Sequence, residues 1–372
     1  MAHEFESGFF VAQGAWHGLG TTLQQAPTTR DAVVQAGLDW HVIEKPCDEN
    51  AETTALLEQK QLIRDRDEKV LGTVDCDYTP LQNQDAFRWF DPLIEKGGMS
   101  LEAAGSLQGG KRVWVLAKIA RTEGRVGLND LIHSYLLLHN SHDGSTAVWL
   151  QFTPIRVVCM NTLAGAASRR FQDLWKKQSA CIPHTDSLQE QMAKVQSLVD
   201  LNKLEFQMSV EDYQAMADQE VNEDLLSTYL GNVLGTAQPQ RRPEWSQLLT
   251  NFERGRGNRG KTLWDAYNAV TEWIDHQQES SVERRLWSSW FGSGAVLRDK
   301  AHREAIALIP KGSASSTAYN RRQRIISNQL KRKTLTQEIQ EGINQLDAGK
   351  YTTYNEQTAT TLADRIKSSA RD

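Results

Sequence analysis

Residues Gly255-Arg256-Gly257-Asn258-Arg259-Gly260-Lys261-Thr262 satisfy G-x-x-x-x-G-K-[ST], the pattern in which glycine-rich backbone amides and a lysine cradle nucleotide phosphates. That chemistry needs a buried strand directly before the loop and a later apolar run ending in an acidic residue to hold Mg²⁺. Neither is in place: Trp245 to Glu253 has helical spacing, and Ala305-Ile306-Ala307-Leu308-Ile309 runs into Pro310. The stretch therefore reads first as a basic, glycine-rich loop. Arg254, Arg256, Arg259 and Lys261 on such a backbone can grip nucleic-acid phosphates without reading sequence. A nucleotide hydrolase using Lys261 and Thr262 is the third of three functional readings.

Basic residues recur beside aromatics elsewhere. Arg112 lies next to Trp114, Arg156 ends an apolar stretch, and Arg169, Arg170, Lys176 and Lys177 fall on one expected helix. A seven-residue step returns nearly to the same helix face, so Arg169, Lys176 and Lys177 share a phase. Such a strip can track a phosphate backbone, with Trp114, Trp149 or Trp175 as stacking platforms. The plainer alternative is a solvated helix face whose tryptophans are core. Two more clusters, Arg321-Arg322-Gln323-Arg324 and Lys331-Arg332-Lys333, recur on a later basic helix.

Other chemistries lack a full set of groups. His139, His142 and Asp143 flank one turn, and Cys181 and His184 form C-x-x-H, but neither set supplies the ligands a zinc site requires. The turn histidines read as surface residues, and no metal or other cofactor is expected. No G-x-S-x-G elbow occurs, and Cys159, at a strand-to-helix junction, reads as a small packed thiol. The expectation is a non-catalytic protein.

The 372-residue chain carries 42 Lys+Arg against 47 Asp+Glu, a net charge of −5 that by itself speaks against a uniformly basic nucleic-acid binder. The charge is segregated, however. His184 to Leu226 holds ten acidic residues and two basic ones, whereas Arg241 to Lys333 holds eighteen Lys/Arg against nine Asp/Glu. No apolar run of about 18 residues is present to span a bilayer. The N-terminus lacks a signal-peptide pattern, and Cys47, Cys76, Cys159 and Cys181 are too scattered for a disulfide framework. These features predict a cytoplasmic protein with free thiols and no membrane association.

The elements that must position these groups follow from periodicity and turn chemistry. Trp40 to Ile43, Gln61 to Ile63 and Lys69 to Val74 read as strands, followed by a helix over about Asn83 to Lys96. Two hairpins come next, one turning at Gln108-Gly109-Gly110 and one at His142-Asp143-Gly144-Ser145, where Asp-Gly supplies the positive φ of a tight reversal. Successive hairpins without strand–helix alternation predict an α+β fold: an antiparallel, hairpin-rich sheet with a packed helix, then a mainly helical C-terminal half. Expected helices are Asn161–Lys177, Leu188–Leu204, Val210–Leu234, Lys261–His276, Val282–Trp290, Ala295–Leu308 and Tyr319–Leu346. The implied division is a core domain over 1–183, a helical domain over 184–309, and a basic helix with a polar tail over 310–372.

Three separated stretches carry a family resemblance: Gly14-Ala15-Trp16-His17-Gly18-Leu19-Gly20; His139-Asn140-Ser141-His142-Asp143-Gly144-Ser145 with Arg156-Val157-Val158-Cys159-Met160-Asn161-Thr162-Leu163; and Gly260-Lys261-Thr262-Leu263-Trp264-Asp265-Ala266-Tyr267-Asn268-Ala269-Val270-Thr271-Glu272. Together they resemble the phage/plasmid-like protein family, whose members carry a large domain of unknown function and are encoded on phages, plasmids and integrated elements. The resemblance names no activity. It places Lys261 in a family motif that is not a nucleotide signature. A curved antiparallel sheet followed by a basic helix is also similar, in topology alone, to ring-forming single-strand annealing proteins of recombination. The sequence thus predicts a non-catalytic, single-stranded DNA binding or annealing factor of a mobile element that homo-oligomerises. The second reading is an interaction protein that modulates a host defence or replication protein through its acidic segment.

Overall fold

The computed structural model describes residues 5–11, 20–47, 59–127, 130–156, 161–162, 181–182, 184–185, 188, 192, 199–278, 288–289 and 292–310. Residues 1–326 form one compact unit and 327–372 a second, which lies outside the described residues. The fold is α+β, as the hairpin pattern predicts.

Its centre is a meander of four long antiparallel strands: β6 (Met99–Leu107), β7 (Arg112–Val126), β8 (Asp130–Ser141) and β9 (Val148–Arg156). β1 (Phe5–Val11), which periodicity did not reveal, pairs antiparallel with β6, and β2 (Thr21–Leu23) adds in parallel at that edge. Short β10 (Asn161–Thr162) and β11 (Cys181–Ile182) both pair with β9. A second sheet orders β3 (Val42–Pro46), β4 (Gln59–Arg64) and β5 (Lys69–Asp75). Both anticipated turns form, with positive φ at Gln108 and Gly109 in one and at Gly144 (φ 72°) in the other.

Val113 to Ala117 shows why the central strands read as unbroken apolar runs: all five residues, which alternate between the two faces of the sheet, are buried. Alternation along β7 sends Val113, Val115 and Ala117 to a core shared with Trp40, Phe87 and Phe90. Trp114 and Leu116 face the other way, onto Phe10, Leu137 and Ile155. The first core lies against α1 (Thr29–Gln35), α2 (Asn83–Arg88) and α3 (Asp91–Glu95). The single helix expected over Asn83 to Lys96 is thus two short ones, with Asp91-Pro92 opening the second.

A third core belongs to α4 (Val199–Ala217), α5 (Glu223–Leu234), α6 (Trp245–Arg254), α7 (Leu263–His276) and α8 (Ser293–Ala307), and it takes in Val126 and Ile132 from the sheet. The boundaries here differ from the periodicity. α4 runs through the expected break near residue 205, and the chain leaves helix at Asp218–Asn222 instead. There the Val221 N–H donates to the Lys261 carbonyl (2.9 Å), Glu220 bridges Thr262, and Asn222 caps α5 by accepting from Leu225 N–H (2.8 Å). Long-range pairing with the 255–262 loop sets this boundary. Asn161 and Thr162, expected to open a helix, form β10. Residues 163–180, 281–287 and 311–372, with the linker and basic helix expected there, lie outside the described residues.

Candidate nucleic-acid interface

α6 ends where Gly255 replaces a side chain, because a Cβ there would lie 2.3 Å from Glu272 Oε2 and 2.4 Å from the Asn251 carbonyl oxygen. The chain then turns through Gly257 and Gly260, both at positive φ (80° and 66°). α7 begins at Thr262, whose side chain accepts from Asp265 N–H in a reciprocal capping box. The Asp265 carboxylate goes further. It accepts from the backbone N–H of Arg259 (3.2 Å), Lys261 (3.0 Å) and Thr262 (3.0 Å), and from the Thr262 hydroxyl (3.1 Å). The amides that a phosphate loop aims at its nucleotide are occupied by the chain's own carboxylate, and a helix rather than a strand precedes the loop.

Asn258 fastens the inner side of this loop. Its amide donates to the carbonyls of Asn251 (2.9 Å) and Asp265 (3.1 Å), and its Oδ1 accepts from Arg156 Nη1 (2.9 Å). Arg156 also donates to the Arg256 carbonyl (3.2 Å) and, through Nη2, to Asp130 (2.5 Å). Asp130 in turn accepts from the Trp264 indole N–H (2.7 Å), and the Arg156 guanidinium lies over the Trp264 ring at 5.4 Å. This guanidinium is 0% exposed and ties the base of the meander to the helical core. Half-buried Glu272 lies beneath the loop, where burial raises its carboxyl above the usual range against the opposing pull of His276, the Arg256 amide and the two arginines.

With the backbone held inward, the side chains of Arg254, Arg256, Arg259 and Lys261 are all exposed. None of the four forms an ion pair with a carboxylate among the described residues. The structure therefore joins these four predicted residues into one cationic rim and sets Arg156 behind it as its anchor. Arg112 lies elsewhere: it pairs with Ser141 whereas Arg156 pairs with Ile132, nine residues away along β8, or about 30 Å. Arg112 is half-buried and its Nε donates to Gln108 (3.0 Å). Arg169, Arg170, Lys176, Lys177 and Trp175 lie outside the described residues.

Of the candidate stacking platforms, Trp114 is fully buried while Trp149, on β9, is 43% exposed. Trp89 and Trp264 are buried. His139 and His142 are buried rather than on the surface: His142 packs edge-on against Trp40 where the turn meets β5, whereas His139 lies on the other sheet face, in register between Trp114 of β7 and Trp149 of β9. Burial pushes both imidazoles down to about 3. No group of three or more His, Cys, Asp or Glu side chains among the described residues is placed to hold a metal ion. No helix among them is long and apolar enough to cross a membrane.

A family model described as a domain of unknown function, DUF932, matches residues 70–309. The chain belongs to the DUF932 family. The DUF932 span takes in the meander, the cationic rim and the anchoring pair Asp130–Arg156, and leaves β1 to β4 outside. Neither the curated proteins nor the solved structures contain a match to it. Sequence reasoning passed over Asp130 and Asp265, and only the capping spacing of Thr262 and Asp265 carried a signal for either.

Proposed function

We propose that this DUF932 protein is a non-catalytic nucleic-acid-binding protein of a mobile genetic element, and most concretely a single-stranded DNA binding and annealing factor that works as a homo-oligomer. The observation that carries this reading is the rim itself: exposed Arg254 at the end of α6 and exposed Arg256, Arg259 and Lys261 on the short loop that follows, whose backbone is tied down from behind. The backbone that carries these cations is already ordered, so binding phosphates costs side-chain freedom but no loop ordering, and such cations distinguish charge density, not sequence. The antiparallel meander whose base meets the rim supports the annealing reading by topological analogy, with exposed Trp149 at the far end of β9, near the hairpin tip, as a separate stacking candidate. The family resemblance in the three sequence stretches supports a phage or plasmid origin.

The same loop argues against nucleotide hydrolysis, since an incoming phosphate would have to displace Asp265 from three amides. The reading of a modulator of a host protein draws on Asp218, Glu220, Glu223 and Asp224, all exposed at the α4–α5 corner. A salt titration of binding to single- and double-stranded DNA, with particle size measured in parallel, separates the readings. Salt-dependent, sequence-independent affinity for single strands supports annealing. No DNA affinity at low salt, together with a stable protein partner, supports the modulator.

A further inference from the structure

Where the three-stranded sheet meets the tip of the β8–β9 hairpin, the chain forms an open cleft of about 390 Å³. Three distant stretches wall it: Thr73 to Tyr78, Asp143 to Ala147, and His184 with Thr185. The first two approach closely because Gly72 has no side chain; a Cβ there would lie 2.5 Å from the Asp143 Cα. Asp75, Asp77 and Asp143 line the cleft, and among the described residues its lining contains no lysine or arginine.

His184 gives this acidic cleft a built interior. The residue is 7% exposed and its ring stacks on Tyr78, with centroids 4.3 Å apart and planes 19° from parallel. Its Nδ1 lies 3.0 Å from the Thr79 carbonyl oxygen. A carbonyl only accepts, so the ring proton is on Nδ1 and Nε2 carries a lone pair. Burial lowers the pKa of this imidazole, which keeps it neutral at pH 7. Nε2 is buried without a hydrogen-bond partner among the described residues, and so is the hydroxyl of Thr146 on the facing wall. The Tyr78 hydroxyl is already committed, donating to the Ser141 carbonyl (2.8 Å). One unmet acceptor, His184 Nε2, one unpaired hydroxyl that can accept as well as donate, and the carboxylates around them suit a ligand that donates hydrogen bonds and carries positive charge.

We propose that this cleft binds an alkylguanidinium or alkylammonium group, whose N–H donors reach His184 Nε2 and Thr146 Oγ1, whose stem lies along Tyr78, and whose charge is balanced by Asp75, Asp77 and Asp143. The cleft is at the hairpin tip, the opposite end of β8 from Asp130, so the assignment stands independently of the nucleic-acid reading.

The test titrates the full chain at low salt with agmatine, with an N-acetylated, C-amidated Gly-Arg-Gly peptide, and with an uncharged isostere of agmatine. Calorimetry reads the affinity and side-chain ¹⁵N NMR reads His184. The expected result is saturable one-site binding of a cationic probe, movement of the His184 Nε2 resonance, and affinity weakened roughly tenfold by D75N/D77N. Tighter binding of agmatine identifies a free small cation as the ligand, and tighter binding of the peptide identifies an arginine side chain of a protein partner. The assignment is overturned if neither cation saturates, if the isostere binds equally well, if D75N/D77N binds unchanged, or if binding leaves the His184 resonance in place.

Discussion

The Asp265 carboxylate lies 3.0 Å from the backbone nitrogen of Lys261 and accepts its hydrogen. One residue thereby caps α7, fills the anion position of a sequence that matches a phosphate loop, and leaves the lysine side chain to solvent. Asp265→Ala frees the Arg259, Lys261 and Thr262 amides together, and the expected loss is about 1–3 kcal/mol in urea denaturation. The unsubstituted protein is expected to melt at the same temperature with and without Mg²⁺-ATP. A nucleotide-dependent rise in Tm abolished by Lys261→Ala would restore the hydrolase reading.

Replacing Arg254, Arg256, Arg259 and Lys261 together by alanine leaves the inward hydrogen bonds of the loop intact, so stability should change little. If all four meet phosphates, the slope of log affinity for single-stranded DNA against log salt should fall in magnitude by about 3, at roughly 0.7 per contact. An unchanged slope removes the rim from the interface.

Arg156 is expected to behave as a structural residue. Arg156→Met leaves Asp130 with the Trp264 indole but without its cation, at an expected cost of about 3–5 kcal/mol, and adding Asp130→Asn should recover part of it. Equilibrium unfolding of the single and double variants measures this coupling. Additive losses would mean that the two residues are not paired.

Acid sensitivity should come largely from the hairpin histidines. His139 and His142 have folded values near 3 against an ordinary value of 6.5, so the unfolded chain binds more protons between those limits. Stability is then fully present above about pH 6.5 and declines as pH falls toward 3, by on the order of several kcal/mol. His142→Asn is expected to flatten that slope in pH-dependent urea denaturation. An unchanged slope would show that His142 is not held neutral.

Local signals carried much of the fold. Asp143-Gly144 and Gln108-Gly109-Gly110 mark turns that form where they stand, because positive φ is a demand on single residues. The helical spacing of Trp245 to Glu253 likewise identified the helix before the loop, and so the poor fit to a nucleotide site. Boundaries set by distant partners were not legible. The break at Asp218–Asn222 depends on pairing with Lys261 and Thr262, some forty residues along the chain.

The candidate site divides along the same line. Residue type and spacing alone singled out Arg254, Arg256, Arg259 and Lys261 as a cationic loop, and a loop flanked by helices can expose its long side chains whatever the surrounding fold. Whether an arginine meets solvent or an internal carboxylate is a property of the packed chain. Arg156, drawn from the same list, is buried because β8 brings Asp130 beside it and α7 lays Trp264 against it. His142, which its turn position would expose, is enclosed because Gly72 lets β5 close over the hairpin tip, and His139 is enclosed on the other sheet face between neighbouring strands. Periodicity and turn chemistry act over a few residues and can be read along the chain, whereas burial and charge pairing are settled only by which distant segments come into contact.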